Sequence, residues 1–223
     1  MSGDLPLDEG TRIRREAQRQ VLDRGALDAV LDAAVVAHVG VVRDGAPLVL
    51  PFACARDGDS LLLHGSTGSG LLRIASGDAV CVTVTHIDGL VFARTTFDSS
   101  MQYRSAVVHG TAAVLTGETK ARALTTLSEH LFPGRTTEVR SPNTKELAAT
   151  LVLRVPLERA SVKIADGPPE DSEDEPRSVW AGVVPLTVVA GEPAPASDVP
   201  DGVAVPESVR RVLRARQPRE PEL

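Results

Sequence analysis

Aromatic residues are scarce in this chain: one Trp, one Tyr and four Phe make up 3% of its 223 residues. A core must therefore be built from Val, Leu and Ala, and the 42% hydrophobic content is enough to build one. Cysteine is rarer still, with two residues. Cys54 and Cys81 both lie in apolar runs, which predicts buried free thiols. Two such cysteines and five scattered histidines do not form a zinc pattern, so we expect a metal-free protein.

Positive charge is also in short supply, since the formal net charge is −6. This balance argues against nucleic acid as a partner, because nucleic-acid binding needs a basic surface. No apolar run approaches the roughly 20 residues of a membrane-spanning helix. The N-terminus lacks a basic region followed by an apolar one, so no signal peptide is expected. These absences predict a cytoplasmic protein.

Short apolar segments separated by turn residues dominate the middle of the chain. Strands are predicted over 35–43, 47–56, 60–64, 79–86, 90–97, 106–115, 151–156 and 160–164, with turns at Asp44-Gly45, Asp57-Gly58 and Asp88-Gly89. Helices are predicted over 12–34 (broken near Gly25), 69–76, 118–131, 143–149 and 208–216. A meander of about six strands favours a closed or partly closed antiparallel barrel.

Composition divides the chain into three parts. Residues 1–24 form a charged, helical N-terminal segment, and residues 25–190 form the barrel domain. Residues 191–223 form a tail rich in Pro and Ala that we predict to be partly disordered.

The apolar run Leu61-Leu62-Leu63 ends abruptly in a small, hydroxyl-rich loop, His64-Gly65-Ser66-Thr67-Gly68-Ser69-Gly70, and a helical pattern follows at once. Glycines, hydroxyls and the N–H groups of a helix start can together bind an anion such as a phosphate. The spacing is neither a P-loop, because Leu71 replaces the lysine, nor a G-x-G-x-x-G motif. The alternative interpretation is an ordinary strand–turn–helix connection capped by a serine.

A second polar segment, residues 95–105, joins two predicted strands and contains the only Tyr of the chain. Arg104 could pair with a phosphate or carboxylate, and Tyr103 and Met101 could pack on a flat heteroaromatic ring. The alternative is a solvated loop with an arginine ion pair.

Six stretches taken together resemble the pyridoxamine 5'-phosphate oxidase-like family of FMN-binding split barrels. The resemblance is greatest to its actinobacterial flavin-nucleotide-binding branch, which is related to the nitroimidazole-resistance proteins. The stretches are HVGVVRDGAPLVLP (38–51), LHGSTGS (63–69), VCVTVT (80–85), DGLVFAR (88–94), SMQYRS (100–105) and VWAGVVPL (179–186). The resemblance implies a mainly β fold with peripheral helices: a split antiparallel β-barrel of the FMN-binding type.

The resemblance also implies a homodimer with FMN in clefts at its interface. The implied flavin-ring contacts are Val49, Leu50 and Pro51, and the implied ribityl and phosphate contacts are His64, Gly65, Ser66, Thr67 and Ser69. Ser105 matches a flavin-contacting position, with Met101, Tyr103 and Arg104 nearby. Trp180 resembles a late tryptophan that reaches the flavin of the partner subunit; the alternative is a core or interface anchor.

The sequence departs from the family pattern near the expected phosphate. Relatives carry a basic residue where this chain has Gly70, and Arg73, one helical turn later, is the substitute at hand. Asp98 and Gln102 also replace the residues usual in relatives. These changes weaken the case for FMN and keep another flavin or a deazaflavin open as the cofactor.

The function implied by the resemblance is a flavin-dependent oxidoreductase acting on a small organic substrate. No catalytic acid or base is nominated. The alternatives are a non-catalytic flavin-binding or storage protein and a barrel that has lost its flavin.

Overall fold

Ten strands form the body of the protein in a computed structural model, which describes residues 3–171 and 174–217. They are β1 (Gln20–Val21), β2 (Val36–Arg43), β3 (Ala46–Asp57), β4 (Ser60–Ser66), β5 (Ala79–Phe92), β6 (Ser100–Thr111), β7 (Ala113–Val114), β8 (Thr150–Pro156), β9 (Ala160–Ala165) and β10 (Gly182–Pro185). Five α-helices accompany them: α1 (Arg24–Asp32), α2 (Gly70–Ala75), α3 (Gly117–Leu131), α4 (Thr144–Ala149) and α5 (Glu207–Ala215).

All strands belong to one sheet in the order β1-β9-β6-β5-β2-β3-β4-β8-β7, and β10 pairs with β5 outside this path. Every strand pair is antiparallel. The sheet curls until β6 approaches β8 at Gly110, where an added Cβ would lie 3.1 Å from Val155 Cγ1. Its end strands β1 and β7 remain unpaired with each other. The predicted fold, a mainly β split antiparallel barrel with peripheral helices, is confirmed.

The core fills the inside of the curled sheet. Alternate residues of the strands point inward, among them Val39, Leu63, Val82 and Leu153, all at most 1% exposed. Leucines and valines of α1 and α2 close this interior. A smaller second cluster lies on the other side of the sheet, where Leu127 of α3 packs with Leu62 and Val152. The three consecutive leucines of β4 are all fully buried because both faces of that strand are covered.

The predicted turn at Asp88-Gly89 is wrong, because β5 continues through it. A β-bulge lies there: Ile87 pairs with Tyr103 and Gly89 with Gln102, so Asp88 has no partner on β6. A bulge shifts the alternation of side chains by one residue. Val91 therefore points inward and is 8% exposed, whereas Leu90 and Phe92 point outward and are exposed.

Two other boundaries differ from the prediction. The helix expected over 12–34 is reduced to a 3₁₀ turn at Ala17–Arg19 and to α1, which Asp23 caps by accepting from Ala26 N–H. Gln20 and Val21 pair with β9 instead of continuing a helix. The segment 100–105, expected as a loop, is the first half of β6, because β5 and β6 pair beyond the end of the barrel.

The C-terminal segment returns to the body of the protein. Its strand β10 pairs with β5, and its helix α5 is anchored where the N–H and the hydroxyl of Ser208 both donate to the Glu138 carboxylate, at 2.9 and 2.5 Å. The hydroxyl bond, together with the N–H bond, lowers the pKa of Glu138. The predicted disorder of the tail stays a prediction, and its last residues, 218–223, lie outside the described residues.

We expect Gly89→Ala to loosen β10. An added Cβ would lie 2.9 Å from Val183 Cγ1 and 3.2 Å from the Val184 carbonyl oxygen, and a backbone oxygen cannot turn aside. Overpacking of this kind costs about 1–3 kcal/mol. Amide hydrogen exchange at residues 182–185 should accelerate, whereas in Gly167→Ala, where no atom lies within 4 Å of the new Cβ, it should not. Equal exchange in the two variants would contradict this account of the bulge.

Candidate functional site

The side of the sheet that faces away from the core carries no charged residue over most of five neighbouring strands; strand alternation places one carboxylate there, Asp57, at the very end of β3. Strand register assigns the following residues to this side, which we call the outer face: Met101, Tyr103, Ser105, Val107 and His109 on β6; Cys81, Thr83, Thr85 and Ile87 on β5; Val36, His38, Gly40 and Val42 on β2; Pro47, Val49, Pro51 and Ala53 on β3; and His64 and Ser66 on β4. In a chain with 24% charged residues, this uniformity is unusual for a solvent-facing surface.

Large apolar side chains on the outer face are uncovered. Val42 is 69% exposed, Val49 57% and Met101 47%. Val42 and Val49 lie on paired strands and form one exposed apolar area, whereas Met101 lies near the opposite end of the sheet. Exposed apolar surface of this kind marks a contact with a ligand or another protein. The outer face is therefore the strongest candidate for a functional surface in the described part of the chain.

The register brings together about half of the predicted site residues. The outer face holds Val49, Pro51, His64, Ser66, Met101, Tyr103 and Ser105. Leu50, Gly65 and Arg104 alternate with these residues and point to the opposite side of the sheet. At Gly65 an added Cβ would lie 2.6 Å from Leu72 Cδ1, so this glycine makes room for α2 in the core.

Arg104 forms an ion pair with another residue of the chain. Asp88 is the bulged residue of β5. Arg104 Nε donates to Asp88 Oδ2, and Arg104 Nη2 donates to Asp88 Oδ1, both at 2.8 Å. The side-chain hydrogen bond with Asp88 raises the pKa of Arg104. The alternative that the sequence left open, an arginine ion pair, is therefore observed, although the pair joins two strands instead of lying in a loop.

The loop between β4 and α2 adopts the geometry of a capped helix start. Ser69 Oγ accepts from Leu72 N–H at 3.4 Å, and Ser66 Oγ accepts from Gly68 N–H at 3.1 Å. Within residues 3–171 and 174–217, the N–H groups of Gly70 and Leu71 meet no acceptor. The serine-cap interpretation is thus confirmed, and two backbone donors remain free for an anion.

Positive charge near this loop comes from Arg73. Its side chain is exposed on α2 and forms no ion pair with the described residues. No atom lies within 4 Å of a Cβ added at Gly70, so this position, where the resemblance implies a basic residue, is open space.

His64 lies where the outer face meets this loop and is half-buried. Burial lowers the pKa of His64, because the charged imidazolium is poorly solvated there. Near neutral pH its ring is therefore uncharged and offers a hydrogen bond or a lone pair to a ligand, not a charge.

Trp180 is not a core residue. It is 66% exposed and packs against Phe92 with ring centroids 6.1 Å apart. A Cβ at Gly182 would lie 2.8 Å from the Trp180 ring, so the indole lies across the start of β10. Together with Leu90, Met101 and Val184 these rings form an exposed apolar arm beyond the end of the barrel.

Sequence reasoning missed the centre of the outer face. His38 lies between Pro51 on β3 and Thr83 on β5, and neither His38 nor Thr83 was nominated. The signal was present in the strict alternation of residues 36–42, where every second residue is buried. A sequence does not reveal which strands are neighbours, so the shared face could not be assembled from it.

The fold is thus a split barrel whose outer face ends beside a loop with two backbone N–H groups that meet no acceptor among the described residues. The family model described as pyridoxamine 5'-phosphate oxidase matches residues 23–164, and the chain belongs to this family. No curated protein matches the chain. In the described part of the chain, no helix combines the length and the hydropathy needed to cross a bilayer.

Solved structures include relatives that match nearly the whole chain. The FAD and heme binding protein from Mycobacterium smegmatis is 43% identical, with 87% of this chain and 97% of that chain covered and a TM-score of 0.85. The flavocytochrome Anf3 from Azotobacter vinelandii is 32% identical, with 94% and 99% covered and a TM-score of 0.88. The fold is shared with a candidate 5-nitroimidazole antibiotic resistance protein from Bacteroides thetaiotaomicron. That protein is 23% identical, with 65% of this chain and 86% of that chain covered and a TM-score of 0.56.

Proposed function

We propose that the protein is a flavin-dependent redox protein that binds its flavin on the outer face and at the adjoining loop. The observation that carries this proposal is a strand pairing: β3, which carries the uncovered Val49 and Pro51, pairs with β4, and β4 leads into the loop with the free N–H groups of Gly70 and Leu71. Apolar side chains suit the flat ring system, and backbone donors at a helix start suit a phosphate. When bound, a flavin supplies hydride or single-electron transfer.

We further propose that the site is completed by a second copy of the chain. The loop follows β4, whereas Met101, Tyr103 and Ser105 lie on β6, and β3, β2 and β5 separate them. Four strand steps of about 4.8 Å place the two groups roughly 19 Å apart across the sheet. A homodimer in which two outer faces meet would bring the β6 residues of one subunit toward the loop of the other. The absence of charge on this face favours such burial.

The flavin could be FMN or FAD, because both carry the same ring and ribityl phosphate. FMN follows from the resemblance in sequence, and FAD is the flavin named for the Mycobacterium smegmatis relative. We take FMN as the minimal occupant, held through its ring and phosphate, and FAD as the alternative. The mass of the flavin released from the purified protein decides between them.

The visible spectrum of the purified protein tests the proposal directly. Absorption bands of an oxidised flavin are expected, together with elution as a dimer. A colourless protein that neither FMN nor FAD stabilises against heat would refute it and leave the flavin-less barrel. Oxidation of NAD(P)H in the presence of an electron acceptor separates an oxidoreductase from a flavin-storage protein.

Arg104→Ala should leave flavin affinity within about twofold. Its guanidinium pairs with Asp88 on the side of the sheet opposite to the outer face, so it is not aimed at the proposed flavin. The measurement is fluorescence titration with FMN and with FAD. A loss of tenfold or more would show that Arg104 contacts the cofactor, as the sequence hypothesis has it.

Heme binding alongside the flavin is a second candidate function, and it departs from the metal-free expectation. The relatives from Mycobacterium smegmatis and Azotobacter vinelandii are described as a FAD and heme binding protein and a flavocytochrome, and both are covered almost completely. The chain also offers the chemistry that heme needs, namely histidine on an apolar surface. Titration of the purified protein with hemin tests this candidate. We expect a Soret band that is more intense than that of free hemin at the same concentration.

A further inference from the structure

A cavity of about 340 Å³ lies beside α3, away from the outer face and from the loop after β4. Ala123 and Leu127 of this helix pack against the sheet, whereas Ser128 and its neighbours on the other flank line the cavity. Residues 132–142 form the facing wall, and Leu147 of α4 also lines it. The volume lies within the range of small-molecule sites, which is about 300–1,000 Å³.

Apolar groups make up the larger part of the cavity wall. Leu124 and Leu147 are half-buried there, whereas Phe132 is 56% exposed and Val139 is 46% exposed. A ligand in the cavity would remove these apolar side chains from water together with its own apolar surface. The cavity therefore favours a ligand whose body is apolar.

Two carboxylates hold the facing wall in place. Glu129 of α3 accepts from the N–H groups of Gly134 and Thr136, at 2.7 and 3.3 Å. Arg140 donates through both terminal nitrogens to the Glu146 carboxylate of α4, at 2.8 and 2.6 Å. Both ends of the segment are thus tied to helices, so the cavity is preformed, as small-molecule sites usually are.

The charged groups at the cavity are already neutralised. Arg135 and Arg140 are the only charged residues that line it in the described part of the chain. Arg135 pairs with Glu138 at 3.1 Å, and Arg140 pairs with Glu146 as described above. A charged ligand would lose hydration here without meeting an unpaired opposite charge. The cavity therefore favours an uncharged ligand.

One polar side chain at the cavity lacks a partner. A serine or threonine inside a helix can bond to the carbonyl oxygen four residues earlier. Thr125 does so, since its hydroxyl donates to the Ala121 carbonyl oxygen at 3.3 Å. The hydroxyl of Ser128, which is half-buried, meets no hydrogen-bond partner within residues 3–171 and 174–217. It can therefore donate to or accept from a ligand.

We propose that this cavity binds a small, uncharged, mainly apolar molecule that carries one hydroxyl or carbonyl group. Ser128 forms the hydrogen bond with that group, and Phe132 and Val139 cover the apolar body. The site goes beyond the proposed flavin function and does not depend on it, because the cavity shares no residue with the outer face or with the loop after β4.

The first test is calorimetric titration of the full chain with p-cresol, a small phenol, and with p-toluate, which replaces its hydroxyl by a carboxylate. We expect p-cresol to bind and p-toluate to bind at least about tenfold more weakly, because its charge has no partner. Amide hydrogen exchange should slow at residues 132–142 when p-cresol binds and should not change at residues 36–42 of the outer face. Tighter binding of p-toluate, or protection of the outer face alone, would overturn the proposal.

Substitutions at the cavity provide the second test. Ala121→Trp should lower p-cresol affinity at least about tenfold, because the new ring occupies the cavity that this exposed residue lines. Ala148→Trp is the matched control, since Ala148 is exposed on α4 outside the cavity, and it should keep the parent affinity. Ser128→Ala should lower the affinity about two- to tenfold through the lost hydrogen bond.

Circular dichroism and flavin content should match the parent in all three variants, which separates a blocked cavity from a misfolded chain and from a failure of the flavin function. Parent affinity in Ala121→Trp, or an equal loss in Ala148→Trp, would show that p-cresol does not bind in this cavity. Unchanged affinity in Ser128→Ala would remove the hydroxyl from the account of ligand recognition.

Discussion

Thr83→Arg is expected to convert the protein to a monomer and to strip it of most of its flavin. Thr83 lies between His38 and Val107, in the middle of the uncharged outer face. In an isolated chain the arginine can extend into water. Between two packed faces it would be a buried charge without a partner, which costs about 2–5 kcal/mol and raises the dimer Kd roughly 30- to 5,000-fold.

Size-exclusion chromatography with light scattering, together with the absorbance ratio of flavin to protein, measures both effects. Thr125→Arg adds the same charge at an exposed position of α3 and should remain dimeric and yellow. Thr83→Arg should keep the circular dichroism of a folded barrel, because Thr83 does not lie in the core, but it should unfold at a lower urea concentration than Thr125→Arg, because it lacks the stabilisation that a partner subunit and a bound flavin provide. A Thr83→Arg protein that stays dimeric with a full complement of flavin would show that the outer face is not the interface.

The strands were largely predictable because local patterns specify them. Alternation of buried and exposed residues in β2 and the turn residues around β3 and β4 are properties of neighbouring positions in sequence. The same local patterns did not predict the bulge at Asp88. Asp-Gly flanked by apolar residues favours a hairpin turn. Here, pairing of β5 with β6 on one side and β10 on the other holds the chain extended through it.

The sequence predicted single segments of the candidate site, but it did not predict which residues share one side of the sheet. The loop after β4 could be found because glycines and hydroxyls cluster there in sequence. The placement of Tyr103 and Ser105 on the same side of the sheet as Val49, and of Arg104 on the opposite side, follows from strand order and from side-chain alternation in the folded sheet. His38 escaped notice for the same reason: a histidine among valines is ordinary until Pro51 and Thr83 are known to stand beside it.

The leucine run that precedes the loop links the stability of the barrel to the position of the candidate site. Leu61 and Leu63 point into the barrel, whereas Leu62 points toward α3. Strand β4 is thus held from both sides, and it presents His64 and Ser66 at its end. A strand held in this way can keep the loop in place without contributing a charge to it.

Leu63→Ala is therefore expected to cost about 2–5 kcal/mol of unfolding free energy, the range for a leucine truncated in a close-packed core. Leu63 is fully buried, and its strand pairs on both sides, with Cys54 and with Leu153. Urea denaturation followed by circular dichroism measures the loss as a lower midpoint at an unchanged slope. Leu7→Ala is the matched control, because Leu7 is 42% exposed, and it should change stability by less than about 1 kcal/mol. Equal losses in the two variants would mean that β4 is not held by the core as described.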